Sequence, residues 1–307
     1  MKKLTALLLS IVMVLSMTAC GSKRLPSDPG ELMKVANENM QKAKSMSATA
    51  NLNLEMTQGE ETVSATADMN MDIIKTDDTY KAKIEANVNM DEAGGTQNAT
   101  IYMAPEGDKY YIYMGVLGQW MKMEYDMSSV LEAEKKADKD TNPLGSSAEN
   151  FTVTDETDDE GNKVKAVSGT MSADAMKEAL TKAFESADSV EGVDETQMEQ
   201  IKLIAESCLA DIPMVYHVDE KSAQITYMSM DLSGIAKKAL EYAGAFLGDA
   251  ASDISGLSID VFNISMNCSN FDKVEDFEIP EEALDAQVID STGSVDTVED
   301  STNSDKE

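Results

Sequence analysis

From Met46 to Asp126 apolar and polar residues alternate almost without a break. Met46, Ala48, Ala50, Leu52, Leu54 and Met56 are separated by Ser47, Thr49, Asn51, Asn53 and Glu55. Val63, Ala65, Ala67, Met69, Met71 and Ile73 are spaced by Ser64, Thr66, Asp68, Asn70 and Asp72. Tyr80, Ala82, Ile84, Ala86, Val88 and Met90 are spaced by Lys81, Lys83, Glu85, Asn87 and Asn89. Successive side chains on a strand point to opposite faces, so this spacing predicts a run of six strands with one dry face and one wet face. Long strands with a solvated face belong to antiparallel sheets. Turn-forming clusters such as Gln58-Gly59-Glu60, Pro105-Glu106-Gly107-Asp108 and Gly115 to Gly118 separate them. The dry face is rich in Met and Ala, which makes a soft and adaptable wall. The last two strands, 109–114 and 119–126, carry Tyr110, Tyr111, Tyr113, Trp120 and Tyr125 on both faces. That distribution predicts cover on both sides, or the rim of a site.

Helical spacing brackets and interrupts the strands. Asp28 precedes Pro29, and Glu31 follows three residues on, which is a helix start. Leu32, Val35, Ala36, Met40 and Ala43 form its apolar stripe. A short helix is predicted from Ser129 to Ala137, then a hairpin around Asp158 to Asn162. A helix over 173–187 follows, then a second, capped by Asp194, that turns Met198, Ile201, Ile204, Ala205 and Cys208 inward. Strands over 213–219 and 223–232, a helix capped by Ser233 and a long strand over 257–268 complete the pattern. Beyond residue 283 the chain is mostly Asp, Glu, Ser and Thr, which predicts a disordered acidic tail over 284–307.

The N-terminus changes the picture. Lys2 and Lys3 precede an apolar run from Leu4 to Met17 that is too short to span a bilayer, so residues 1–19 read as a secretion signal. The junction Met17-Thr18-Ala19-Cys20-Gly21 resembles a bacterial lipobox, with Cys20 as the lipid-bearing residue. Residues 20–30 are then a lipidated Cys and a polar tether, and residues 31–283 a single domain. Two or more acyl chains hold a protein stably at a membrane, so the predicted site is the outer face of the plasma membrane.

Charge excludes several partners. With 57 acidic and 25 basic side chains the net charge is -32, which repels nucleic acid and anionic lipid surfaces. The three cysteines match no zinc or iron–sulfur spacing, and Cys208 and Cys268 are readable either as a disulfide or as two buried thiols. The acidic turn after Asp155 fails the calcium-loop pattern, because Glu160 stands where the glycine is required. The lone histidine, His217, lies on a predicted strand and reads as structural, and the chain has no catalytic or cofactor-binding motif. The expectation is a non-enzyme with no cofactor and no metal.

The layout of lipidated Cys, tether, helix, long meander and inserted helices, with phrases such as Leu32 to Met56 (LMKVANENMQKAKSMSATANLNLEM) and Val274 to Pro280 (VEDFEIP), resembles uncharacterised surface lipoproteins of Firmicutes. These are similar in architecture to the LolA/LppX-like lipoprotein-localisation superfamily. The resemblance implies an α+β fold: a strongly curved antiparallel sheet, or half-open β-barrel, with helices on or over the concave face. It also implies a lipid or acyl-chain ligand on the dry face, where Leu52, Leu54, Met69, Met71, Ile84, Val88, Met90, Ile101 and Met103 are the candidate ligand-binding residues. The alternative is an envelope interaction module whose helices fill that space completely and leave no room for a ligand.

Overall fold

The computed structural model describes residues 24–76, 79–90, 95–107, 109–125, 144–186, 195–247 and 256–289. Helix α1 (Pro29–Lys42) begins as its sequence predicts, with the Asp28 carboxylate accepting the Glu31 backbone N–H at 2.9 Å. Six strands follow in order: β1 (Ser45–Gln58), β2 (Glu61–Lys75), β3 (Tyr80–Met90), β4 (Gly95–Glu106), β5 (Lys109–Val116) and β6 (Gln119–Tyr125). Each pairs antiparallel with the one before it. After a 3-10 helix (Gly145–Asn150) come β7 (Phe151–Thr157), β8 (Lys163–Met171), α2 (Ala173–Ser186) and α3 (Glu195–Cys208). Then β9 (Ile212–Asp219), β10 (Ile225–Asp231), α4 (Ser233–Leu247) and β11 (Leu257–Ser269) lead to α5 (Glu281–Leu284) and β12 (Val288–Ile289).

All the strands belong to one sheet, ordered β12-β6-β5-β4-β3-β2-β1-β11-β10-β9-β8-β7. The chain walks outward from β1 to β6, re-enters at the opposite edge with β7, and walks back until β11 closes against β1. The register keeps the dry residues in line: Ala48 faces Met71 on one side and Cys268 on the other, and Leu52 faces Ala67 and Ile264. On the wet face the side chains of β1 and β2 bond to each other across the strands, Ser47 to Asp72 at 2.6 Å and Thr49 to Asn70 at 3.2 Å.

The main core lies where α1 crosses the dry face of β7–β10. Leu32, Met33 and Ala36 pack there with Leu144, Phe151, Val167, Ile212, Met214 and Val218. Close approach requires Gly169 in β8, since a Cβ there would stand 2.3 Å from the Asn150 carbonyl oxygen. Helix α4 packs on β11, and α3 packs on α2 and α4 instead of on the sheet. That outer position corrects the expectation for α3: Ile201 and Ile204 are 46% and 41% exposed, because only part of the stripe has a neighbour. Ser233 also differs from the expected cap. Its hydroxyl accepts the Phe262 backbone N–H at 2.9 Å and ties α4 to β11.

A second core lies on the opposite face at β4–β6. Tyr102, Tyr111 and Tyr113 are buried there under Phe277, Ile279, Ala283 and Val288 of the C-terminal segment, with Trp120 beside them. This corrects the start of the predicted tail, because residues 284–289 finish α5 and pair β12 in parallel with β6. Lys81 helps hold the segment, with its ammonium 2.5 Å from Asp276 and 4.6 Å from the Phe277 ring centroid. The predicted helix at 129–137 and the tail beyond 289 lie outside the described residues, as do the signal segment and Cys20.

Candidate functional site

The dry face carries on from the helix-covered half of the sheet into β1–β6, and its residues fall into rows across the strands. One row joins Met46, Ile73, Ala82, Met103, Ile112 and Met123, each opposite the next in register. The row beyond it, toward the end of the sheet, holds Lys75 opposite Tyr80, and Pro105 opposite Tyr110, which faces Tyr125. The last turn of α1 lies over these rows, and a cavity of about 630 Å³ remains between helix and sheet. Met40, Gln41, Ala43, Lys44, Ser45, Met46, Ile73, Lys75, Tyr80, Ala82, Met103, Tyr110, Ile112 and Tyr125 line it. Five strand spacings separate β1 from β6, about 24 Å in a flat sheet. Met46 of β1 and Tyr125 of β6 nevertheless wall the same cavity, so the sheet curls around it. The fold is therefore α+β, with a strongly curved, open antiparallel sheet and helices on its concave face.

The candidate residues read from the sequence are spread along the whole length of the strands on this face, whereas the cavity occupies one end of it. Of the nine candidates, Met103 lines the cavity. Met71, Ile84 and Ile101 form the adjoining row, one step further from the tyrosine end. Leu52, Leu54, Met69 and Val88 lie on the same face, nearer the other end of the sheet. Met90 pairs with Ala65 in the same register, and its side chain lies outside the described residues. Sequence reasoning missed the contribution of α1. Met40 and Ala43 were legible as its stripe, but not as one wall of a cavity.

The aromatics divide by face. Tyr110 and Tyr125 rim the cavity, while Tyr102, Tyr111, Tyr113 and Trp120 belong to the second core. Tyr110 is only 6% exposed, and its hydroxyl has no hydrogen-bond partner among the described residues. Burial pushes it up to about 12, so it stays a neutral donor. The Lys75 ammonium stands 5.4 Å from the Tyr80 ring centroid. On the opposite face Lys122 is 6% exposed and sits 2.5 Å from Glu106 and 4.4 Å from the Tyr111 ring centroid. These contacts satisfy a buried charge and hold the second core together.

The other groups with chemical potential are occupied structurally. His217 packs against Tyr227 with ring centroids 4.9 Å apart and the rings tilted by 41°. The Asp158 carboxylate accepts the backbone N–H groups of Glu160 and Asn162 at 3.0 and 2.7 Å, which closes the acidic turn. Cys208 and Cys268 are free thiols, and burial pushes Cys268 up to about 11. Among the described residues no cluster of His, Cys, Asp and Glu is placed to hold a metal ion, and no helix is long and apolar enough to cross a membrane.

Residues 28–288 match the model of a family of unknown function, DUF6612. No curated protein matches the chain. Solved structures similar to it include LprF from Mycobacterium bovis, with a TM-score of 0.40 at 14% identity over 85% of this chain and 99% of that one. A DUF1329 family protein from Desulfovibrio piger ATCC 29098 has a TM-score of 0.22 at 9% identity over 81% of this chain and 95% of that one.

Proposed function

The chain belongs to DUF6612, and we propose that this member is a non-catalytic surface lipoprotein that binds a lipid or other hydrophobic ligand in the cavity between α1 and β1–β6. The observation that supports the reading is the cavity itself. A fully packed interaction module would fill the space over Ile73, Ala82, Met103 and Ile112, whereas here about 630 Å³ stays open. Pockets for small ligands are of this size, mostly apolar, with a few placed polar groups. Flexible methionines at positions 40, 46 and 103 suit a wall that must adapt to varied chains. Anchoring through Cys20 at the outer face of the plasma membrane, and kinship with LolA/LppX-like lipoproteins of Firmicutes, belong to the same proposal. They rest on the lipobox-like junction and on the layout of the chain.

Titration of residues 21–307, without the signal segment and Cys20, with a fluorescent fatty acid tests the reading. Saturable binding that a Met103→Trp substitution abolishes supports it. Binding that is absent, or unchanged by the substitution, sinks it.

A further inference from the structure

We propose a second binding site, on the wet face of the sheet and separate from the cavity, that takes a neutral glycan strand against Trp120 and the amide and hydroxyl groups of β4. A cleft of about 410 Å³ lies there, lined by Thr96, Asn98, Thr100, Gly115, Leu117 and Trp120 together with the turn residue Gly118. The register brings its floor together, since Thr100 faces Gly115 and Gly115 faces Trp120. Along the same strands Ile101 and Met114 point to the dry face, so the sheet itself separates the cleft from the cavity.

The setting of Trp120 is the first argument. A Cβ on Gly115 would stand 2.8 Å from Cη2 and Cζ3 of the indole and 2.9 Å from Cζ2. A point nearly equidistant from three consecutive ring atoms at that range lies over the face of the ring, so the indole lies flat across the Gly115 backbone. Tyr102, with its ring centroid 5.9 Å away and tilted by 38°, holds it in place. One face of the half-buried ring rests on the strand, and the other points away from it. Leu117 is the second argument. It is 86% exposed, and φ is +52° at Leu117 and +78° at Gly118, the pattern of a type I′ turn. Asn, Asp and Gly suit the first of those positions, whereas a leucine is strained there and in this case buries almost nothing. Neither packing nor turn chemistry accounts for this apolar side chain at the rim.

The third argument is the polar half of the cleft. Thr96, Asn98 and Thr100 carry hydroxyl and amide groups that both donate and accept. Short polar side chains continue onto β3, where Asn89 faces Thr96, Asn87 faces Asn98, and Glu85, paired with Lys83 at 2.8 Å, faces Thr100. Three strand spacings separate β6 from β3, about 14 Å, which is longer than a single sugar ring. A pyranose with equatorial hydroxyls has flat faces of C–H groups and an edge of hydroxyls, so it uses an aromatic face and a row of amides at once. Charge selects a neutral chain. The protein has 57 acidic and 25 basic side chains, and no cation stands among the described residues that line the cleft, so an acidic polymer meets repulsion that nothing local offsets.

Trp120 is the only tryptophan of the chain, so its emission reports on this site. The test titrates residues 21–307 with cellohexaose, chitohexaose and glucose. The expected result is that at least one hexamer shifts the emission to the blue, shields it from acrylamide, and binds about tenfold or more tightly than glucose. Asn98→Ala should weaken that binding about fivefold and leave the melting temperature unchanged, because the side chain is exposed. Leu117→Asn gives the turn its preferred Asn-Gly pair, so the melting temperature should hold or rise while hexamer affinity falls. A leucine with a merely structural role would not separate those two readouts. A fluorescent fatty acid bound in the cavity should leave hexamer affinity unchanged. Emission that neither hexamer alters up to its solubility limit would overturn the proposal. So would binding that neither substitution weakens, equal affinity for glucose and the hexamers, or competition with the fatty acid.

Discussion

Replacing Ala82 with Trp sets two effects of opposite sign against each other. Ala82 lies on β3 between Ile73 and Met103 and lines the cavity at 8% exposure. A Trp side chain buries roughly 150–250 Å². At about 25 cal/mol per Å² that amounts to about 4–6 kcal/mol for complete burial. A cavity open to solvent realises only part of it, and ordering the ring costs about 1 kcal/mol. The expected net effect is between neutral and about 3 kcal/mol stabilising. Were the same space filled by side chains, forcing the ring into it would cost about 1–3 kcal/mol. For a domain of this size each kcal/mol moves the melting temperature by about 2–4 °C. Calorimetry without detergent should therefore show an unchanged or higher melting temperature. Titration with a fluorescent fatty acid should show that binding is lost. A melting temperature lowered by about 3 °C or more, with binding intact, would refute the reasoning.

Three further outcomes follow from other parts of the molecule. Gly115→Ala would bring a Cβ to 2.8 Å from the ring of Trp120, the only tryptophan, so its emission should shift to the red and stability should fall by about 1–3 kcal/mol; unchanged emission would show that the ring does not lie there. Glu106 is held below its ordinary 4.5 by hydrogen bonds from Lys122 and Tyr113, so its contribution is present above that value and is lost as pH falls through the lowered one. The melting temperatures of the wild type and Glu106→Gln should accordingly differ at pH 7 and converge as pH falls below the lowered value, and a gap that persists once the carboxyl is protonated would contradict the assignment. Cys20→Ser should release the protein from membranes or leave it unprocessed; a cleaved variant that stays membrane-bound would rule out the lipid anchor.

Local pattern carried most of the sheet. Strict alternation in β1–β3 fixes which residues face inward, because a slip of one residue would put the whole dry set on the wet side. Met71, Ile84 and Met103 were therefore placed on the correct face from spacing alone. Alternation has no term for where along a strand a partner element lies. The end at which α1 departs from the sheet depends on packing between residues far apart in sequence, such as Leu32 against Val167. For that reason Leu52 and Leu54 were as eligible as Met46 and Ile73. The double-sided aromatics of β5 and β6 did signal cover on two faces. What the sequence left hidden was the cover itself: Phe277 and Ala283 sit in a stretch whose composition reads as solvated. The exposed stripe of α3 shows the converse, since helical spacing marks an apolar face whether or not a neighbour completes it.

Native mass spectrometry of the protein purified from its own membranes, followed by lipid extraction, tests the central claim most directly. The account predicts a co-purifying lipid at about one copy per chain, beyond the acyl groups proposed for Cys20. It should be missing from Ala82→Trp prepared in the same way. Extracts that contain no lipid beyond the anchor proposed at Cys20, or the same lipid in both proteins, would contradict it.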